Sequence, residues 1–534
     1  MAIVELNKKN LKALGIKSLN DKLPMLGCPI EEETKTSILV DISPNRPDLL
    51  SEQGLIRALQ TFTGKKKDLK AYKAEKSSYA VKIEKSVKDV RPFTACAVVK
   101  NLKFDDEKIK EIIDIQEKLH ATYGRYRKKV AIGIYPFEKI KMPITYKAMA
   151  PKEIKFQPLE SEREMTALQI LQQTPAGREY AHLLEGKKKF PIFADAMGSI
   201  MSMPPIINSQ TTGKITEKTK DVFIECSGFD FNTLSKCLNI IVCVLADMGG
   251  KIYSIKLEGI QKTTPELEPE KMKIKLENVN KLLGLNLKEA EIKELLKKMG
   301  FSYKNENVGI PCYRADILHE VDLIEDIAIA YGYGNFKEEI PQISTIGKED
   351  GFEIFKGKVS EILIGLGFLE TCSYNLTNEE DENKKMNTDE ELIKIPNAKT
   401  NYNVLRQSML PSLIKILSEN KDREYPQQIF EIGTIFLNKD KEEKEKLALV
   451  LSHGKANFTQ VKQILDYFLS SIGIQYKIKK TKYDSFIEGR TGHILVKGQE
   501  VGIIGEVHPA ILENWKLTTP VTAFELDLTK IYKN

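Results

Sequence analysis

The chain has 534 residues, 41% hydrophobic and 29% charged, with 81 basic against 75 acidic side chains and a formal net charge of +6. That length predicts three to four domains with ordinary globular cores, and the small net charge announces no extended polyanion-binding surface. Seven scattered cysteines without a C-x-x-C spacing exclude a disulfide framework and a cysteine-ligated zinc site, and the opening "MAIVELNKKNLKALGI" lacks a basic-then-apolar leader, so a reduced, cytoplasmic location is expected.

Residues 1–85 read as a mixed α/β domain ending in a linker. "TSILVDI" alternates as a half-buried strand does, "SPNRPDLL" is a turn with two prolines, and "SEQGLIRALQTF" is a helix with Ser51 at its N-cap. The lysine-rich "GKKKDLKAYKAEK" reads as a solvated connector. From 86 to 268 the strands "FTACAVVKNL", "VAIGIY", "FPIFAD" and "DVFIECSGF" alternate with the helices "EKIKEIIDIQEKLHATY" and "FNTLSKCLNIIVCVLADMG", the pattern of a large α/β domain. Residues 269–345 predict a compact helical domain, one of whose helices is expected to start at Asn286 with Glu289 three residues on, and to stop at Gly300. The remainder, 346–534, mixes long helices with strands such as "QQIFEIGTIFLN" and "KLALVLSHG". Its acidic tracts "TNEEDENKKMNTDEE" and "NKDKEEKEK" are expected to be exposed loops.

No H-E-x-x-H, G-x-x-x-x-G-K-[ST] or G-x-S-x-G pattern is present, so the familiar zinc-hydrolase, P-loop and serine-hydrolase chemistries have no support. One stretch stands out. "YRADILHEVDLIEDIAIAYGY" carries five carboxylates in eleven residues. On a helical wheel Leu323, Ile324, Ile327, Ala328 and Tyr331 share one face, and Asp322, Glu325 and Asp326 fall opposite, with Asp316 just upstream. The spacing suits either a solvated face near the positive end of a helix or a hard-cation site of oxygen ligands. The absence of Lys and Arg from 315 to 336 leaves the two readings evenly matched.

That segment, extended to "IPCYRADILHEVDLIEDIAIAYGYGNF", resembles the signature of the phenylalanyl-tRNA synthetase β subunit of archaeal and eukaryotic cytosolic type. The resemblance covers nearly the whole chain, because "DISPNRPDLLSEQGLIRAL", "KLHATYGRYRKKVAIGIY", "SMPPIINS", "NYNVLRQSMLPSLIKIL", "FEIGTIF" and "GEVHPAILENW" follow in the order of that family. It implies an α+β multidomain fold: an α/β editing domain at 86–268, a helical, winged-helix-like domain at 269–345, and an inactive class II synthetase-like antiparallel sheet with helices at 346–534. The implied activity is that of a ligase subunit. In an (αβ)2 heterotetramer the α subunit binds ATP and phenylalanine and charges the phenylalanine tRNA, while the β subunit hydrolyses mischarged tyrosyl-tRNA. A Mg2+ ion at the α/β boundary is implied on Asp316, Asp322, Glu325 and Asp326, the last more often Glu in the family.

By the same resemblance the editing pocket would include Gln116, Arg127, Ser202, Asn208, Glu225 and Ser227. The family form of the last turn is usually Asp-x-Thr-Gly, so "ECSG" departs at two positions while keeping an acid and a hydroxyl. Cys226, between them, should point to the other side of the strand and is not expected to be a nucleophile. Residues 346–534 lack the Arg-x-Glu and glycine-rich Glu-Arg segments that clamp ATP phosphates in class II sites. The alternatives are a tRNA-binding structural subunit that has lost editing, or a free-standing tRNA deacylase.

Overall fold

A computed structural model describes residues 2–533 except 14, 16–18, 67–69, 342 and 439–440, and it divides into two compact units, Met1–Ile340 and Pro341–Asn534. Part of the expected linker, 67–69, lies outside the described residues.

The first unit opens with an antiparallel sheet in the order Ala2–Asn7, Ser37–Ile42, Ile30–Glu33. Ala2, Val4 and Leu6 alternate inward, as the period of two demands. The Glu52–Phe62 helix follows, and the Ser51 hydroxyl accepts from Gly54 N at 3.0 Å, the expected cap. Gly54 is required there, since a Cβ would stand 2.1 Å from Asp48 O.

Two stacked sheets form the middle of this unit. The five-stranded one runs Ala74–Glu75, Lys251–Tyr253, Phe93–Lys100, Val222–Gly228, Val130–Pro136. Its strands alternate strictly. Ala95, Ala97, Ile132, Ile134, Val222, Ile224 and Cys226 face the helices Asp106–Ala121 and Phe231–Asp247. Cys96, Val98, Tyr135 and Phe223 face the other way, onto Ile144, Tyr146 and Phe193 of a seven-stranded sheet. The architecture is therefore a helix layer and two sheet layers.

Three short strands, Glu270–Lys273, Ser302–Lys304 and Asn307–Ile310, join the helices Leu276–Leu283, Glu289–Lys298 and Glu320–Tyr331 to complete the unit. The second helix starts later than its sequence suggests. Asn280 Oδ1 accepts from Leu287 N, which holds 286–287 outside the helix, and the Glu291 carboxylate accepts from Lys288 N to cap the first turn. One continuous apolar core runs from Ala2 through the helix side of the five-stranded sheet to Ala330.

The second unit is built on a seven-stranded sheet, antiparallel except for its Leu369–Glu370 edge strand. Phe430, Leu447, Leu449, Phe524 and Leu526 pack under the helices Gly351–Gly365 and Phe458–Ser471. Their neighbours Ile429, Ala448, Val450, Val521 and Ala523 pack under the Leu410–Glu419 helix, so both faces of the sheet are covered.

Two expectations fail here. Within the 377–391 tract Asp381, Glu382 and Asn383 are buried. Asp381 is paired with Lys385 and Lys415, at 2.6 and 2.9 Å, and Glu382 Oε1 accepts from the backbone of Gln407 and Ser408. The second tract is no loop from residue 442 on, where Glu442–Ser452 pairs in full register with Gln427–Leu437; residues 439–440 lie outside the described residues. Alternating charge reads as a solvated loop, but it equally fits the exposed end of a long hairpin.

Arg406 Nη1 meets Glu431 Oε1 at 2.6 Å with both side chains 2% exposed. Arg406→Met should therefore destabilise the second unit by about 3–5 kcal/mol, because a buried carboxylate loses its partner, and Arg406→Met with Glu431→Met should recover most of that. Chemical denaturation of the full-length chain measures both.

Candidate functional site

Four of the six editing-pocket residues named from sequence line one cavity of about 220 Å3: Gln116, Arg127, Asn208 and Glu225. It is too small for a nucleotide-sized ligand and large enough for one amino-acid side chain, drug-sized pockets being about 300–1,000 Å3. Gln116 comes from the Asp106–Ala121 helix and donates through Nε2 to Ile132 O at 3.1 Å. Arg127 follows that helix in a left-handed backbone conformation, φ 62°. Its Nη1 donates to Ile206 O at 2.8 Å, its Nη2 meets Glu117 Oε1 at 3.2 Å, and the guanidinium stacks over the Tyr180 ring. Arg127 thus braces the helix against the Pro204–Ile206 segment that forms the opposite wall.

Glu225 lies between the two sheets, where its strand register turns it away from the helices. Its Oε1 faces the Tyr135 hydroxyl at 3.3 Å, and that hydroxyl faces Asn208 Oδ1 at 3.2 Å. One phenolic proton serves one of these acceptors at a time, and either a protonated Glu225 or an Asn208 amide turned to present Nδ2 completes the set. Burial pushes the Glu225 carboxyl up to about 8, against the opposing influence of Arg91 and the Tyr135 and Ser227 hydroxyls. Its Oε2 is buried without a hydrogen bond. Gly133, directly across the ladder, makes the arrangement possible, because a Cβ there would stand 2.2 Å from the Tyr135 hydroxyl and 2.6 Å from Glu225 Oε1.

Ser202 and Ser227 sit behind this wall and do not line the cavity. Ser202 pairs with Asn208 across the ladder, and Ser227 Oγ accepts from Arg91 Nε at 3.2 Å. His120 does line it. Ile132 N donates to His120 Nε2 at 2.8 Å, which fixes the ring proton on Nδ1, facing Glu117 at 3.3 Å. Burial lowers the imidazole below its ordinary range and keeps it neutral. Cys226 points to the helix side beside Cys237, and burial pushes its thiol far up, so it takes no part in the pocket.

The acidic helix is arranged differently from its wheel. Asp326, expected opposite the apolar face, is buried. Its Oδ2 accepts from Arg314 Nη2 at 2.6 Å, and the same guanidinium makes a forked pair with Asp316 at 2.8 and 2.7 Å. Arg314 stands one residue outside the stretch that contains no basic side chain, and Arg46, from the first fifty residues, adds its charge 4.0 Å from Asp316. Asp322 Oδ2 accepts from Leu318 N and His319 N, both at 2.7 Å, as a helix cap. Glu325 alone is exposed. Among the described residues no group of three or more His, Cys, Asp or Glu is arranged to hold a metal ion, and Asp316 and Asp326 are engaged by Arg314.

Comparison with known proteins gives three consecutive matches. The family descriptions are "B3/4 domain" over residues 76–238, "tRNA synthetase B5 domain" over 272–333 and "Phenylalanyl tRNA synthetase beta chain CLM domain" over 337–528. The phenylalanine–tRNA ligase β subunit of Thermococcus sibiricus is 41% identical over 502 residues, 92% of this chain and 90% of that protein. Those of Pyrococcus abyssi and Archaeoglobus fulgidus are also 41% identical, covering 94% and 96% of this chain and 93% and 94% of theirs. The chain belongs to the phenylalanine–tRNA ligase β-subunit family. The crystal structure of an N-terminal fragment of the phenylalanyl-tRNA synthetase β subunit from Pyrococcus horikoshii superposes with a TM-score of 0.59 at 38% identity, covering 62% of this chain and 99% of the fragment.

Within this ligase subunit the sequence reading missed Tyr135, His120 and Glu117. A glycine inside the apolar strand "VAIGIY" was the available signal for Tyr135, since glycine in a strand marks a close approach. Among the described residues no helix is long and apolar enough to cross a membrane.

Glu225 gives the pocket a pH signature. Its raised value of about 8 means that the folded chain holds a proton which the unfolded chain releases above its ordinary value of 4.5. The associated stability is present in full below 4.5 and is lost as pH rises through about 8. Between about pH 5 and pH 9 the wild type should lose up to a few kcal/mol relative to Glu225→Gln, which carries no titrating proton. Melts of both proteins across that range read the difference.

Proposed function

We propose that this β-family chain works with an α subunit in an (αβ)2 heterotetramer that charges phenylalanine tRNA, and that its own chemistry is hydrolysis of mischarged tyrosyl-tRNA in the pocket of the first unit. The observation that carries the editing reading is the convergence of Gln116, Arg127, Asn208 and Glu225 on one side-chain-sized cavity. A phenol hydroxyl is the only difference between the wrong and right amino acid. A neutral carboxylic acid both donates and accepts, so protonated Glu225 with Tyr135 and Asn208 can pair a tyrosine hydroxyl. A phenylalanine ester would leave Glu225 Oε2 buried without a partner, a loss of about 1–3 kcal/mol or roughly ten- to a hundredfold.

Ester hydrolysis needs a held acyl group and a positioned water, not a side-chain nucleophile. With Cys226 on the far side of its strand and His120 locked by the Ile132 amide, the pocket offers none, which suits that mechanism. In the second unit helices cover both faces of the sheet, which supports an architectural, class II-like domain without an ATP site. The magnesium ion implied by resemblance would need ligands from outside this chain, joined by the exposed Glu325 and the second oxygen of Asp322, because Arg314 already neutralises Asp316 and Asp326.

In the complete enzyme, Asn208→Ala or Glu225→Ala should raise steady-state tyrosyl-tRNA and leave phenylalanine charging nearly unchanged. Unchanged tyrosyl-tRNA clearance in both variants would refute the editing assignment. The isolated chain should show no phenylalanine-dependent pyrophosphate exchange. Magnesium followed by chelator should leave the melting temperature of the isolated chain unmoved; a reversible rise would show that the four acids hold the ion unaided.

A further inference from the structure

Two thiols from distant parts of the first unit stand in contact, away from the pocket. Cys243 Sγ lies 3.7 Å from Cys312 Sγ, although 69 residues separate them along the chain. Cys243 is on the Phe231–Asp247 helix and is wholly buried, whereas Cys312 follows the Asn307–Ile310 strand and retains 4% exposure. Cys312 lines an open polar cavity of about 750 Å3 with Asn239, Lys236 and Glu266, and Cys243 lies behind it. Cys312 thus borders the cavity and Cys243 does not.

The surroundings favour ionisation of the Cys312 sulfur. Arg57 packs on the Tyr313 ring with 3.9 Å to its centroid and pairs with Asp247 at 2.6 Å, yet its Nη2 is buried without a hydrogen-bond partner. A hydrogen bond with Cys243, followed by the Arg57 and Lys236 charges, holds the Cys312 thiol below its usual range against the effect of burial. Burial pushes Cys243 up. The thiol held low and the residue that borders the cavity are thus the same, Cys312, with a second sulfur already in contact, and thiolate character and access together set cysteine reactivity.

We propose that Cys243 and Cys312 are a peroxide-oxidisable pair that closes to a reversible disulfide, pinning the Phe231–Asp247 helix to the segment that leads into the acidic helix. The Cys312 thiolate attacks one oxygen of hydrogen peroxide, the O–O bond breaks, and the sulfur becomes a sulfenic acid as hydroxide leaves and takes up a proton. Cys243 sulfur then attacks Cys312 sulfur, the S–O bond breaks, and the hydroxyl leaves as water with the Cys243 proton. Two thiols lose two electrons and one peroxide becomes two waters; a dithiol reverses the bond by exchange. The sulfurs need only close from van der Waals contact to a bond of about 2.0 Å.

Cys226 and Cys237 supply an internal control. They also adjoin one another and are fully buried, but neither lines any of the cavities described. The full-length chain carrying Cys372→Ser, which removes the exposed thiol, is treated with hydrogen peroxide under native conditions, blocked with an alkylating agent after denaturation, and digested without reductant. The expected result is loss of two titratable thiols and a Cys243–Cys312 linked peptide, both reversed by dithiothreitol, with Cys226 and Cys237 still alkylated. In Cys243→Ser the Cys312 sulfenic acid should accumulate and react with dimedone. If that variant does not fold, transient dimedone labelling of Cys312 before the link forms in the parent protein reads the same step. Full alkylation of Cys243 and Cys312 after oxidation, or Cys312 driven to sulfinic acid with Cys243 free, overturns the proposal.

Discussion

Arg314 is a guanidinium 2% exposed, and the first unit is arranged around the need to neutralise it. Burial opposes its charge, and Asp326 and Asp316 more than compensate, so it stays ionised. Asp326 is on the Glu320–Tyr331 helix, Asp316 on the turn before it, and Arg46, itself paired with Asp48 at 2.8 and 2.9 Å, brings in the turn after the first sheet. The network thus joins segments nearly three hundred residues apart at the edge of the core shared by Leu49, Leu55, Leu323 and Ile327. Removing one member would leave an uncompensated buried charge, a heavier loss than the pair's own net contribution.

The same economy of buried charge explains the pocket. Glu225 has no cation in direct contact, so it is held neutral by burial where Asp326 is held by an arginine. A neutral acid fixed between two sheets is a hydrogen-bond donor that an exposed glutamate cannot be. Gly133 and Tyr135, on the neighbouring strand, set its position by steric room on one side and a hydroxyl on the other. In the Glu-x-Ser-Gly turn the acid borders the cavity, while Ser227, tied to Arg91, sits behind it.

Residues with strong local signals were legible in the sequence. Ser51 capping, the alternation of "DVFIECSGF" and the opposite sides of Glu225 and Cys226 follow from local pattern, while the grouping of Gln116, Arg127, Asn208 and Glu225 was implied by the family resemblance alone. What was not legible depended on partners far along the chain. The acids of the 316–326 stretch lacked basic neighbours in the following residues, but the neutralising cations were Arg314, one position before the window, and Arg46. Wheel geometry placed Asp326 outside because a wheel knows the helix and not what packs on it. Glu382 and Asp381 were taken for a loop for the same reason: their lysine and backbone-amide partners arrive from 385–415.

The two units differ in how their sheets are covered. In the second, alternate residues of each central strand are buried under helices on both sides, and its deeply buried acids Glu431 and Glu525 are paired with Arg406 and Lys446. Glu382, buried beside them, has backbone amides for partners on one oxygen and none on the other. In the first unit the five-stranded sheet has helices on one face and a second sheet on the other, and the Tyr135 hydroxyl and Glu225 carboxyl occupy the space that a side chain on Gly133 would fill. The helix side makes the unit stable. The sheet side, where polar groups are buried without being fully satisfied, is where a substrate hydroxyl would complete the hydrogen bonding.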